Sequence, residues 1–480
     1  MTSDVGPITR FKSTVGRRKW PIVITMLVTV TGMTYSLFWA PVVRHDVVRY
    51  AAHPLFHTAL VKHLERIHPI AHNWYWVTPG DIWGTLRTAQ TIEWGWLGGI
   101  YSAHGGFLLP PGILFVLLPA SKLVGLLHLL PSYPAPLPRP SAWLVLGPYE
   151  MLLSGVALLG LDALAERLAI PARRRAWMSV AEGMVLWQVV VIWGHPEIAV
   201  ALGLTCYAIR TALDGRPVAT GWLLGAALAM QTFVVLIIPV ILAASISRTS
   251  LAGNAVGNTV STDTAANSSV PDMLWAYTKQ AFSILWRAIA VPAVLVATPL
   301  ITQPRATWRA LVVQPTYPKV DHPTPWLALA PKLTHTTVSG GVTRLFAIAV
   351  ACVIGYALFM MARHGADIER LVPVACAMSF FAWCFFESVM TSYYIIPATA
   401  FALLAAGMLS HFRLVGALAM GMLATVLAFQ HTDPWLYWGM VTSSLALACA
   451  LGIPTGSRLS PTTKRLPAPV NITVKSTPVP

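Results

Sequence analysis

The feature that most constrains this chain is its succession of long apolar runs. The first covers residues 21–41. Others fall near 107–130, 142–166, 176–193, 198–213, 218–232, 233–247, 281–302, 341–362, 368–389, 392–410, 413–430 and 434–452. An apolar helix of about 20 residues spans the hydrocarbon core of a bilayer. Several of these runs have only about 15–18 residues, which is tolerated where neighbouring protein covers the helix ends. Charge content points the same way. Charged residues make up 11% of the 480, against about 25% in a soluble domain, and mean hydropathy is +0.63. The expectation is an all-α, polytopic transmembrane helix bundle of roughly 12 spans, with roughly 11 to 13 allowed by the pattern.

Basic clusters set the expected topology. Arg10, Lys12, Arg17, Arg18 and Lys19 precede the first run, which places the N-terminus in the cytoplasm. That run is longer than the apolar core of a signal peptide, so it reads as a span. Arg173-Arg174-Arg175, Arg216, Arg248, Arg363, Arg413 and the tail with Arg458, Lys464 and Arg465 then alternate as inner segments. One run, 107–130, breaks the alternation unless it stops short of a crossing. The net charge of +15 reads as this orientation signal, not as a nucleic-acid surface. The protein is expected in the cell membrane, multi-pass, with both termini cytoplasmic.

The organisation follows from these runs. Residues 1–20 form a cytoplasmic N-tail and 21–455 the transmembrane domain. The latter contains a first outer loop (42–106), a cytoplasmic linker (248–280) and a second outer loop (303–340). Residues 456–480, rich in Pro, Thr and Ser, read as a disordered cytoplasmic tail. Asn267-Ser268-Ser269 and Asn471-Ile472-Thr473 fit the glycosylation pattern but fall on the inner side. Cys206, Cys352, Cys376, Cys384 and Cys449 lie inside apolar runs without metal or redox spacing, and read as packing residues.

The outer loops concentrate the polar chemistry. The first carries amphipathic helical patterns near 50–67 and 81–94. Its tryptophans Trp74, Trp76, Trp83, Trp94 and Trp96 suit the headgroup level, so these helices are expected to lie on the membrane surface. His53, His57, His63, His68 and His72 lack a companion cysteine or acid, so no metal site is expected. In the second loop Arg305, Arg309, Lys319 and Lys332 face one acid, Asp321. Such an excess outside fits a bound anion such as a lipid phosphate, held by Arg305, Arg309, Lys319 and His322; scattered charge tolerated in a translocated loop is the other reading.

Three short stretches carry a resemblance. Pro79-Gly80-Asp81-Ile82-Trp83-Gly84 leads through Leu97-Gly98-Gly99-Ile100-Tyr101 to Leu109-Pro110-Pro111-Gly112. Trp193-Gly194-His195-Pro196-Glu197 precedes Asp214-Gly215-Arg216-Pro217 and the segment ending at Gln231. Phe386-Glu387-Ser388 is followed by Tyr393-Tyr394. In this order they resemble the GT-C integral membrane glycosyltransferases, nearest the bacterial mannosyltransferases that use polyprenyl-phosphate sugars. The resemblance implies sugar transfer, mannose among the candidates, from a polyprenyl-phosphate donor on the extracytoplasmic face, with no cofactor beyond the lipid-linked donor. It makes Asp81 the first candidate for the carboxylate base, with Glu93 and Asp46 as alternatives. His195, Glu197, Glu387 and Tyr393 are candidates for substrate binding. Blander readings stand beside these. An acid at a helix start also caps the helix, Glu93 fits a solvated helix face, His195 and Glu197 fit a hydrogen-bonded turn, and Glu387 could pair with Arg344. A transporter or lipid flippase is the alternative class; the absence of a clear internal repeat argues against it.

Overall fold

A computed structural model describes residues 16–38, 80–102, 107–129, 140–245, 270–318, 322–428 and 433–454. The expected helix near 50–67, the N-tail up to residue 15, the C-terminal tail, most of the 248–280 linker and the five histidines of residues 53–72 lie outside the described residues.

The chain folds as an all-α helix bundle. In order come α1 (Lys19–Phe38), α2 (Gly80–Glu93), α3 (Gly112–Leu126) and α4 (Pro140–Arg167). Next are α5 (Ala172–Trp187, extended by a π turn to Trp193), α6 (Pro196–Leu213), α7 (Pro217–Met230) and α8 (Thr232–Ser245). They are followed by α9 (Val270–Thr302), the short α10 (Pro304–Trp308), α11 (Gly341–Arg363) and α12 (Ile368–Phe386). The last three are α13 (Ile396–Leu409), α14 (His411–Leu427) and α15 (Pro434–Leu451). Between α10 and α13 four two-residue strands form two antiparallel ladders. β1 (Pro315–Thr316) pairs with β3 (Val338–Ser339), and β2 (His322–Pro323) with β4 (Val389–Met390).

Among the described residues eight helices are long and apolar enough to cross a membrane, and four further apolar helices are shorter. The chain is a multi-pass membrane protein. Local signals set the helix limits. Proline opens α6, α7 and α15, where its missing N–H costs nothing. Asp433 caps α15 and Ser410 caps α14. Within the bundle, α4 and α6 touch backbone to backbone at Gly160 and Gly203. A Cβ on Gly203 would stand 2.2 Å from the Val156 carbonyl oxygen, so only glycine permits the approach that lets apolar helices pack in lipid.

The run at 107–130 resolves into α3, a 15-residue helix with Pro119 inside it. At 1.5 Å per residue it is about 22 Å long, short of a full crossing. It packs against α2, α4 and α7. α2, expected from its tryptophans to lie on the membrane surface, turns its apolar face toward protein. Ile82, Leu86 and Ala89 are fully buried, and Trp83 packs on Trp143 with ring centroids 6.2 Å apart. Protein covers this apolar face, while Trp94 and Trp96 at its end are exposed. One cysteine also differs from the packing expectation: Cys352 is exposed, the other four buried.

The two ends of the bundle differ. At one end arginines tie helix termini together. Arg18 and Arg175 bind Asp162 and Glu166, Arg167 donates to Asp214 and Glu369, and Arg174 donates to the Gly407 and Met408 carbonyls that end α13. The opposite end carries α2, the α5–α6 turn, the α12–α13 turn and the 303–340 loop.

Candidate functional site

The α5–α6 turn is built for a tight reversal. The π turn Gln188–Trp193 ends at Gly194, whose φ of +69° is left-handed and suits glycine. His195 follows and Pro196 starts α6, so His195 and Glu197 flank the proline and meet each other at the helix start. His195 Nδ1 lies 2.6 Å from Glu197 Oε1, and its Nε2 lies 3.1 Å from Asp81 Oδ2. Gln231, the last residue before α8, donates to Glu197 Oε1 at 3.4 Å. Asp81, the His195–Glu197 turn and Gln231, far apart in sequence, are thus joined in one hydrogen-bonded chain with the imidazole at its centre.

Its electrostatics follow from that geometry. Burial alone disfavours the imidazolium, but Glu197 and Asp81 outweigh it, and the His195 pKa is pushed up to about 10. Both ring nitrogens then donate, one to each carboxylate. The hydrogen bond from His195 in turn lowers the Asp81 pKa, against a smaller opposing effect of burial. Glu197 is buried, whereas 63% of the Asp81 side chain is exposed. Asp81 is thus an ionised carboxylate, oriented from behind and open in front.

The site continues through aromatic rings. His195 lies 4.0 Å from the Tyr393 ring centroid, Tyr393 meets Tyr394 edge-on at 4.9 Å, and Tyr394 stacks on Trp383 at 4.7 Å. The Trp383 indole N–H donates to Glu387, which also accepts from Arg344 Nε at 2.8 Å and from a second guanidinium nitrogen at 3.3 Å. Glu387 is fully buried, so the pairing with Arg344 is its environment. The second loop is sewn to this point by the β2–β4 ladder and by Thr324, which donates to the Glu387 carbonyl. His322 sits on β2 and stacks on Tyr437 at 4.3 Å.

The structure therefore brings together Asp81, His195, Glu197 and Tyr393, while Glu387, paired with Arg344, is reached from them only through Tyr394 and Trp383, and His322 lies on the strand that pairs with β4. It separates Glu93. Twelve residues of helix put Glu93 about 18 Å from Asp81 along α2, and Glu93 is half-buried with Oε1 lacking a hydrogen-bond partner among the described residues. Arg305 and Arg309 are exposed on α10 and the turn after it, without an ion-pair partner among the described residues. Asp46 and Lys319 lie outside the described residues. Sequence reasoning missed Glu150 on α4. It is fully buried, both carboxyl oxygens lack a hydrogen-bond partner among the described residues, and it is within electrostatic reach of Glu197 and His195. Its signal was present: an acid inside an apolar run is expensive and marks function. Among the described residues no group of three or more His, Cys, Asp or Glu is placed to hold a metal.

Comparison with family models, curated proteins and solved structures finds no match to this chain. Fold and geometry define its class, a multi-pass all-α membrane protein with a carboxylate–imidazole–carboxylate cluster at one end of the bundle.

Proposed function

We propose that this chain is a membrane glycosyltransferase that moves a sugar from a polyprenyl-phosphate donor to an acceptor hydroxyl. The observation that carries the reading is Asp81, an exposed carboxylate held in orientation by His195 and Glu197 on the end of the bundle that bears the 303–340 loop. In the reaction the acceptor oxygen attacks the anomeric carbon, the bond from that carbon to the lipid phosphate breaks, and the hydroxyl proton passes to Asp81. One displacement from the opposite face inverts the anomeric centre. A lowered Asp81 pKa does not disqualify it. The attacking oxygen becomes strongly acidic as its new bond forms, so a weak base that stays ionised suffices. Arg305 and Arg309 would meet the departing phosphate, for which guanidinium is well shaped.

The same reading sets the membrane orientation. The arginine-rich end, with Arg167, Arg173, Arg216 and Arg363, is the cytoplasmic one by the positive-inside rule. Asp81 then faces out of the cytoplasm, and both termini lie on the cytoplasmic side of the cell membrane. Mannose is the sugar the sequence resemblance suggests.

A transporter reading has one observation in its favour. Glu150 and Glu182 are buried acids within spans, and such acids also serve proton relays. Membranes containing the protein, incubated with labelled polyprenyl-phosphate mannose, separate the two. A covalent mannosylated product supports transfer. Flux into proteoliposomes with no covalent product refutes it in favour of transport.

A further inference from the structure

At the arginine-rich end, away from the site above, a cavity of about 300 Å³ opens between the start of α1 and the start of α5. Its lining includes Arg17, Lys19, Trp20, Arg173, Arg175 and one acid, Asp162. That acid is already neutralised. Asp162 and Glu166 bind Arg18 and Arg175, two charges against two. Arg17, Lys19 and Arg173 remain, all exposed, and none has a carboxylate partner among the described residues. Lys19 lies over the Trp20 ring at 5.8 Å. Ala172, the first residue of α5, lines the same cavity, so a helix N-terminus adds positive potential.

We infer that this cavity binds the phosphate headgroup of an anionic membrane lipid. Three uncompensated cations call for an anion. The surface beside them calls for a lipid. Trp20, which lines the cavity, is exposed, as are Val23, Met26 and Leu27 further along α1 and Trp177, which follows the lining residue Ala176 on α5, so the two helices that frame the pocket offer acyl chains apolar side chains. Basic pockets between spans at the inner leaflet recognise lipids in this way. The inference is independent of whether the opposite end transfers sugar.

The test uses the full chain in dodecyl maltoside, with the thermal midpoint followed during titration with phosphatidylglycerol, phosphatidylcholine of the same chains, or inorganic phosphate. Phosphatidylglycerol is expected to raise the midpoint and phosphatidylcholine is not. The half-saturating phosphatidylglycerol concentration is expected to rise about fivefold for Arg173→Gln, and about a hundredfold for the triple variant Arg17→Gln, Lys19→Gln, Arg173→Gln. Arg363→Gln, a basic residue at the same end but outside the cavity, leaves it unchanged. In wild type alone the response weakens as salt rises, which keeps the test decisive if the triple variant does not fold. Equal responses to the two lipids, a triple variant that titrates like wild type, or inorganic phosphate reproducing the full shift would each overturn the inference.

Discussion

Glu387 is fully buried and takes two bonds from Arg344, at 2.8 and 3.3 Å, besides the Trp383 N–H. Arg344→Met keeps most of the side-chain volume and leaves that carboxylate without its counter-charge. Breaking a buried pair by removing one partner costs about 3–5 kcal/mol, or roughly two to four orders of magnitude in the unfolding equilibrium. Glu387→Gln is milder, at about 1–2 kcal/mol, because the amide still accepts a hydrogen bond and Arg344, 19% exposed, can hydrate. The double variant Arg344→Met/Glu387→Gln contains no buried unpaired charge. It is expected to cost at least about 2 kcal/mol less than the sum of the singles. Unfolding by sodium dodecyl sulfate in mixed micelles, read by near-ultraviolet circular dichroism from the Trp383–Tyr394 cluster, measures all three. Additivity within about 0.5 kcal/mol would show that the pair does not organise this end of the bundle.

Three further outcomes are expected. With a folded-state pKa of about 10, the stabilisation His195 gains from its carboxylates is complete below about pH 6.5 and is lost as pH rises towards 10. Asp81, shifted the other way, contributes above its unfolded pKa and loses its share in acid. His195→Gln should therefore flatten the fall in thermal midpoint between about pH 7 and 10, and an unchanged profile would contradict the cluster. Gly203→Ala should cost about 1–3 kcal/mol by forcing α4 and α6 apart, seen as a lower thermal midpoint; an unchanged midpoint would mean the helices do not meet at that glycine. Glu150→Gln should leave the thermal midpoint unchanged or raise it, since the amide keeps the shape and cannot ionise in the buried position; a clear fall would mean that the carboxyl has a partner the amide cannot replace.

Much of the bundle was legible because an apolar run long enough for lipid has few alternatives. Residues 142–166, 341–362 and 434–452 became α4, α11 and α15 almost residue for residue. The run at 107–130 stood out as a break in the alternation of charge, and it folds as the short helix α3, with Pro119 inside it. The site was legible as residue types but not as contacts. Asp81, His195 and Glu387 stood out in three separate motifs, yet nothing local says that Asp81 meets a histidine 114 positions away. Trp83 shows why. An amphipathic pattern reports that one face of a helix is apolar, and is silent on whether lipid or protein covers it. Glu150 was passed over for a related reason, because a single acid in a run does not disclose where its side chain points.

The most direct measurement is sugar transfer from polyprenyl-phosphate mannose by membranes carrying Asp81→Asn. The side chain keeps its shape but can no longer take the acceptor proton. Transfer is expected to fall by about 10²–10⁴-fold, with normal expression and a thermal midpoint only slightly lowered, because the side chain that pairs with His195 is 63% exposed. Full transfer by a normally expressed Asp81→Asn protein would contradict the assignment of Asp81 as the base.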